Sequence, residues 1–299
     1  MPLPATRAAT ARPPASSRIT GCMKLAELRP GWRTDLILHA HGGVLAERDD
    51  CIVVRTPANP TYYWGNCLLL PRAPRDDEQT HWEARFDDEI GATSPASKHR
   101  SFGINAPPAG EALPAWLASG YEVITTAVLR QRPRELTPPP RSTRGTVEFR
   151  PFELDHELEQ VVAQQIVDNE GFDPHGYEEH RRQQMQRYAR MARADVARWF
   201  GVWCDGTLAA DCGLIRSAAQ PGAVARFQHV STHPAWRRRG LCTALVHAVT
   251  RWGFEHWQLA EAFMGADPDD VAIGIYETLG FVRIDAEWGL QKRAPRDTR

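Results

Sequence analysis

The sequence predicts an α/β protein with mixed sheets, divided into a smaller N-terminal unit and a larger C-terminal one. Three observations carry this reading. The chain has 299 residues, about two domains at roughly 150 residues each. Short β-rich runs alternate with stretches of helical period throughout. Residues 133–145 hold Pro133, Pro138, Pro139 and Pro140 among small and charged residues, a composition that makes an extended linker and no central strand. The expected division is a disordered tail at 1–23, an α/β unit at 24–132, the linker at 133–145 and a second unit at 146–293.

Bulk composition narrows the function classes. Hydrophobic residues make up 42% and charged residues 24%, ordinary for a globular protein with sizeable cores. A formal net charge of -1 provides no global field for nucleic acid or an anionic membrane, so neither is an expected partner. No apolar run approaches the length of a membrane span. The six cysteines, Cys22, Cys51, Cys67, Cys204, Cys212 and Cys242, lack CxxC spacing. Without a secretory signal pattern they read as reduced thiols of a cytoplasmic protein.

The tail is rich in Pro, Ala, Arg, Ser and Thr and cannot bury enough surface to order itself. Met23 is an expected alternative start. In the first unit, Cys51–Arg55, Cys67–Leu70, His99–Asn105 and Tyr121–Leu129 read as strands. Asp76–Ile90 reads as an acidic helix, and Leu113–Gly120 as a short one. His39 and His41 would share a face if they lay on a strand. Tyr62, Tyr63 and Trp64 form an aromatic cluster that packs at a core or lines a cleft.

In the second unit Thr146–Arg150 reads as a strand. Asp155 is a candidate N-cap for a helix to Val167. Tyr177–Val196 reads as a long helix with Arg181, Arg182, Arg187, Arg190 and Arg193 on a solvated face, or as a basic wall that steers acidic acceptors or the cofactor. Trp199–Cys204, Leu208–Ile215 and Arg226–Thr232 are expected strands, the first two joined by a hairpin turn at Asp205-Gly206. Leu259–Ala266 is a further strand and Asp269–Leu279 a helix. Phe281–Ile284 and Glu287–Leu290 are the expected closing strands.

The informative stretch is Arg237-Arg238-Arg239-Gly240-Leu241-Cys242, which lies between the Arg226–Thr232 strand and a helical pattern. That pattern runs through Leu241, Leu245, Ala248, Val249 and Trp252. The first turn of a helix exposes backbone N–H groups and carries partial positive charge. With a glycine and three guanidinium groups beside it, the place suits a phosphate or pyrophosphate.

Three motifs give a resemblance to the GNAT (GCN5-related N-acetyltransferase) superfamily. They are Val230-Ser231-Thr232-His233-Pro234, then Arg237 to Cys242 as the Arg/Gln-x-x-Gly-x-Gly/Ala signature, then Ile275-Tyr276-Glu277-Thr278-Leu279-Gly280-Phe281. The resemblance covers the C-terminal half and implies the GNAT acyl-CoA acyltransferase fold there. The N-terminal half resembles a degenerate copy without either signature, which makes the arrangement a tandem one. The implied reaction is transfer of an acetyl group from the cosubstrate acetyl-CoA to an amine, with no metal. A non-catalytic acyl-CoA sensor or an interaction module on the same fold is the alternative.

By the same resemblance, the backbone of Arg238, Arg239, Gly240, Leu241, Cys242 and Thr243 cradles the pyrophosphate, with Arg237 beside it. Val230, Ser231 and Thr232 pair with the pantetheine arm. Tyr276 is the acid that protonates the departing thiolate. Cys242 stands where Gly or Ala is usual; it is small enough to keep the close approach of the cofactor, and an oxidation-sensitive thiol is a second reading of it. The general base is open. Arg226 lies near where some relatives carry a glutamate, and His229, Asp211, Asp173 and His175 are candidates by residue type, His229 first among them. The acceptor and the oligomeric state are not specified by the sequence.

Overall fold

A computed structural model describes residues 23–294 except 95, 108, 111–112, 141–146 and 170. Of the tail expected at 1–23, residues 1–22 lie outside the described residues, as does the end of the Pro-rich linker, while Met23 is buried. The N-terminal half runs α1 (Pro30–Asp35), β1 (Val44–Glu47), β2 (Ile52–Arg55), β3 (Cys67–Leu70), α2 (Gln79–Phe86), β4 (Arg100–Ile104), α3 (Pro114–Ala118) and β5 (Glu122–Gln131). The C-terminal half runs β6 (Val147–Pro151), α4 (Leu154–Gln165), α5 (Pro174–Arg193), β7 (Ala197–Cys204), β8 (Thr207–Arg216) and β9 (Val224–Thr232). It closes with α6 (Leu241–His256), β10 (Glu261–Ala266), α7 (Ala272–Thr278) and β11 (Val282–Lys292).

All eleven strands join one sheet, in the order β1-β2-β3-β4-β11-β5-β10-β9-β8-β7-β6. Among the described residues only β3/β4 and β9/β10 are parallel. Parallel neighbours need a crossover, and α2 and α6 supply one in each half. The two halves therefore repeat one plan, a meander followed by a crossover. Their last strands are exchanged. β5 closes the first half in sequence, yet it pairs antiparallel with β10 of the second half. β11 closes the second half, yet it pairs with β4 of the first half. β5 and β11 pair with each other along nearly their whole length.

Alternation along the strands divides the core between the two faces. One face packs Trp32, Leu36, Ile52 and Val54 under α1, and Val161, Met185, Tyr188 and Trp199 under α4 and α5. The other packs Trp82, Phe86, Phe102 and Trp116 under α2 and α3, and Leu214, Leu245, Val249 and Leu279 under α6 and α7. Gly103 and Gly289 stand opposite each other in the β4/β11 ladder. A Cβ on either would lie within 2.6 Å of a tryptophan ring, Trp32 or Trp64 respectively. These two glycines open a slot in the sheet surface for two indoles.

Several expectations are corrected. The two closing strands are one strand, β11, bulged between Arg283 and Asp285. The remaining place in the sheet belongs to β5, which short-range pattern does not reveal. His39 and His41 lie in turns after α1 and not on a strand. His39 is buried against Tyr62 and Thr56. Glu153 precedes α4, and Asp155 lies in its first turn, paired with Arg193. The arginine face of α5 is only partly solvated, for Arg181 and Arg187 are buried. The Arg187 guanidinium donates to the carbonyls of Leu38 and His41, tying α5 to the turn after α1.

Candidate active site

The turn between β9 and α6 is built from local constraints. His233 ends the strand and accepts the Ala235 N–H on Nδ1 at 3.2 Å. Pro234–Trp236 then makes one 3-10 turn. Arg238 and Gly240 both take left-handed φ, 63° and 79°. Gly240 is the residue before α6, and its conformation is one that side-chain-bearing residues resist. The first intrahelical bond runs from the Ala244 N–H to the Gly240 carbonyl at 3.0 Å. The N–H groups of Leu241, Cys242 and Thr243 precede it and have no carbonyl of their own turn to meet. Arg237, Arg238 and Arg239 are exposed around them. Arg239 lies over the Trp236 ring at 4.5 Å, and Arg237 donates through Nε to the Thr232 carbonyl at 3.1 Å.

The strand before this turn is irregular in a useful way. β9 pairs with β8 through Gly213↔Gln228 and then Asp211↔Ser231, so His229 and Val230 together face Cys212 in a bulge. His229 takes φ 44° there. On its other edge β9 meets β10 only at Val224, Ala225 and Arg226. Beyond these the two parallel strands separate, and among the described residues no backbone bond joins Phe227–Thr232 to Met264–Ala266. Val230, Ser231 and Thr232 thus keep one edge open.

The N-terminal half makes the opposite choices at the corresponding place. β3 and β4 stay zipped, and Asn105 and Ala106 donate to the Leu70 and Pro71 carbonyls past the strand ends. The crossover there begins with Asp76, Asp77 and Glu78. Three carboxylates at a helix start repel a polyanion.

Tyr276 of α7 and Cys242 of α6 come from different signatures and lie close enough to influence each other's proton affinity. Burial pushes the Cys242 thiol up to about 11, so the reactive, oxidation-prone thiolate expected there is disfavoured. Burial likewise raises the Tyr276 phenol, helped by the Cys242 and Cys212 thiols, so it stays protonated across the neutral range. The Leu279-Gly280-Phe281 turn below it is locked by the segment from Gln131 to Thr137. The Thr137 N–H and Gln131 Nε2 both donate to the Leu279 carbonyl, at 3.0 and 2.7 Å. Gly280 takes φ 89°, and a Cβ there would lie 2.0 Å from the Glu135 carbonyl oxygen.

On the α1 face, at the separation of β9 from β10, lies a cavity of ≈ 220 Å³. His229 and Gln228 line its β9 side, and its Nε2 has no hydrogen-bond partner among the described residues. Burial lowers the proton affinity of His229 well below the usual imidazole range, with Arg181 and His180 adding to the effect. The first half supplies Trp32 and Asp35 from α1, Tyr62 and Trp64 from the loop before β3, and Thr126 from β5. Tyr63 instead packs away, stacked on His99 at 4.2 Å. The aromatic cluster thus serves both purposes foreseen for it.

The floor of this cavity holds an ion cluster that sequence spacing did not disclose. Arg226, 4% exposed, lies between Glu287 of β11 and Asp35 of α1. Glu287 Oε1 is 2.8 Å from Nη1 of Arg226 without an aligned N–H, and among the described residues no other donor reaches it. Nη1 donates to Thr34 Oγ1 at 2.9 Å and to the Gly31 carbonyl at 3.2 Å. Burial raises the Glu287 carboxyl to about 7 against the opposing pull of Arg226. The carboxylate missing near Arg226 in the sequence is therefore present in space. The signal for it was an acid on a strand among apolar residues, Glu287 before Trp288.

The other base candidates lie elsewhere. Asp211 sits under α4 and α5, accepting from Gln165 Nε2 at 2.8 Å and Trp199 Nε1 at 2.9 Å, and burial raises it to about 6. Asp173 caps α5 by accepting the Gly176 N–H, and His175 is exposed in the first turn of that helix. Neither lines the cavity.

Residues 162–281 match the family model described as Acetyltransferase (GNAT) family. Those residues form a GNAT domain. The GNAT domain holds the bulge, the open strand edge and the Gly240 turn described above. Solved structures similar to the whole chain share its fold at low identity. A functionally unknown conserved protein from Staphylococcus epidermidis is 13% identical, with a TM-score of 0.68 over 85% of this chain and 96% of that one. A GCN5-related N-acetyltransferase from Kribbella flavida is 16% identical, with a TM-score of 0.57 over 89% and 95%. A tandem GNAT protein from the clavulanic acid biosynthesis pathway is 16% identical, with a TM-score of 0.51 over 77% and 74%. No curated protein matches the chain. The coverage extends beyond the GNAT domain into the first half, in keeping with the tandem arrangement.

Proposed function

We propose that the protein is an N-acetyltransferase that moves the acetyl group of acetyl-CoA to a primary amine by direct attack in a ternary complex. The observation that carries this reading is the separation of β9 from β10, next to a helix that opens on left-handed Gly240. One face of the gap leads to a cationic helix start, which suits a pyrophosphate. The other leads to the cavity.

In this reading the N–H groups of Arg238 to Thr243 hold the pyrophosphate, with the charges of Arg237, Arg238 and Arg239 around them. The open edge of Val230, Ser231 and Thr232 receives the pantetheine as an added strand. A backbone N–H near the bulge stabilises the oxyanion. Tyr276, held protonated by burial, donates to the thiolate as the carbon–sulfur bond breaks. His229 faces the acceptor side, where its unpartnered Nε2 suits it to accept a hydrogen bond from the amine.

Calorimetry with acetyl-CoA tests the donor assignment on the full chain. Binding is expected, and its absence would remove both an enzyme and an acyl-CoA sensor. Release of CoA thiol on adding amines separates these two, since a sensor binds without turnover.

A further inference from the structure

We propose that the cavity between the two halves is a chamber for a small primary alkylammonium ion without a neighbouring carboxylate, and that this ion is the acetyl acceptor. The proposal rests on the acetyltransferase reading above. Two kinds of cation-recognising group converge on the chamber. Trp32 and Trp64 meet with ring centroids 5.8 Å apart, tilted by 50°, and Tyr62 and Trp288 complete the aromatic lining. Aromatic faces attract ammonium groups, most strongly when desolvated. Asp35 and Glu287 add two carboxylates.

Charge decides the rest. Arg226 is the one Arg or Lys among the lining residues. It is already engaged by Asp35, Glu287, Thr34 and the Gly31 carbonyl. Its charge is already met by Asp35 and Glu287, so a substrate carboxylate would have to compete with both of them for it. Two carboxylates against one guanidinium leave the ionised chamber short of one positive charge. An ammonium ion supplies it, whereas the carboxylate of an amino acid would meet Asp35 and Glu287. The volume, ≈ 220 Å³, is below the roughly 300 Å³ at which drug-sized sites begin, so the occupant is small.

The proton balance closes within these residues. The ammonium gives one proton to the Glu287 carboxylate. The freed nitrogen attacks the thioester carbonyl, the N–C bond forms and the C–S bond breaks. The departing thiolate takes the Tyr276 proton, and the nitrogen, now carrying one proton too many, returns one to the phenolate. The products are an amide, a thiol and one proton, which leaves Glu287 for solvent.

The test uses the full chain and a coupled assay of CoA release. 1,5-Diaminopentane is expected to exceed lysine, its carboxylated counterpart, by at least about tenfold in kcat/KM. Tetramethylammonium is expected to compete with the amine and not with acetyl-CoA, while neutral tert-butanol does not inhibit. Asp35→Asn and Trp64→Leu should raise the amine KM at least about tenfold with acetyl-CoA affinity unchanged, and Trp64→Phe should restore it. If these variants do not fold, the competition experiment on the unaltered protein decides alone. Preference for lysine or a lysyl peptide, equal inhibition by tert-butanol, or acetyl-CoA binding without release to any amine would overturn the chamber assignment. Failure of acetyl-CoA to bind would overturn the acetyltransferase reading beneath it.

Discussion

The Tyr276 hydroxyl is kept protonated by burial, so removing it takes away a proton and little packing. Tyr276→Phe is expected to leave acetyl-CoA affinity unchanged in calorimetry while turnover falls at least about tenfold; unchanged turnover would refute its role as acid. Buried titratable groups also set the response to pH. Burial lowers His39 and His180 to about 3 and His99 to about 4. Unfolding lets each regain a proton below about 6.5, so their contribution is present above that pH and is lost as pH falls toward 4. Glu287 and Asp211, raised to about 7 and about 6, act in the other direction, favouring the fold at low pH and opposing it as pH rises through those values. Each tenfold displacement in proton affinity is about 1.4 kcal/mol. Taken together, the three histidines are displaced further than the two carboxylates, and His229 is lowered as well. Thermal denaturation should therefore show a lower Tm at pH 5 than at pH 7; a rise on acidification would contradict the balance.

At the scale of elements, the turn from β9 into α6 rests on the left-handed conformation of Gly240. A Cβ there meets nothing within 4 Å, so Gly240→Ala strains the backbone without crowding a neighbour. The strain is on the order of 1–2 kcal/mol, enough to shift the turn. Acetyl-CoA affinity is expected to fall at least about tenfold while the circular dichroism spectrum stays unchanged. This turn was legible in the sequence because its constraints are local: a stopped strand, a glycine and a helical period follow each other within a few residues. Asp205-Gly206 announced its hairpin for the same reason. α1 was not legible, because six residues opening on Pro30-Gly31 hold too little periodicity to register. Its burial comes from Trp32 seated over Gly103, a contact across the sheet. The base candidate was hidden for a related reason. Arg226 marked a vacancy on β9, and the carboxylate facing it is on β11, far along the chain.

At the scale of the whole molecule, the exchange of β5 and β11 makes the halves interdependent. A chain of residues 147–299 would lack the strand between β10 and β11 and leave the Leu279 carbonyl without Gln131. It is expected to aggregate or remain unfolded, and a cooperative transition by calorimetry would disprove this. A fragment of residues 23–140, supplied in trans, should restore folding by returning β5 to its place. The Pro-rich linker drew attention to a boundary in composition, but strand pairing ignores that boundary, because antiparallel partners can be recruited from any distance in sequence. Synthesis is where this arrangement has its largest effect. β5 leaves the ribosome ahead of both of its neighbours, with roughly 130 residues still to be made before β10. At about 5–20 residues per second the wait is on the order of ten seconds. Through that interval the strand carries Val128 and Leu129 with two unsatisfied edges, an open template for another chain. Two nascent copies that lend each other this strand would close into an intertwined dimer, so the yield of monomer should depend on how crowded the polysome is.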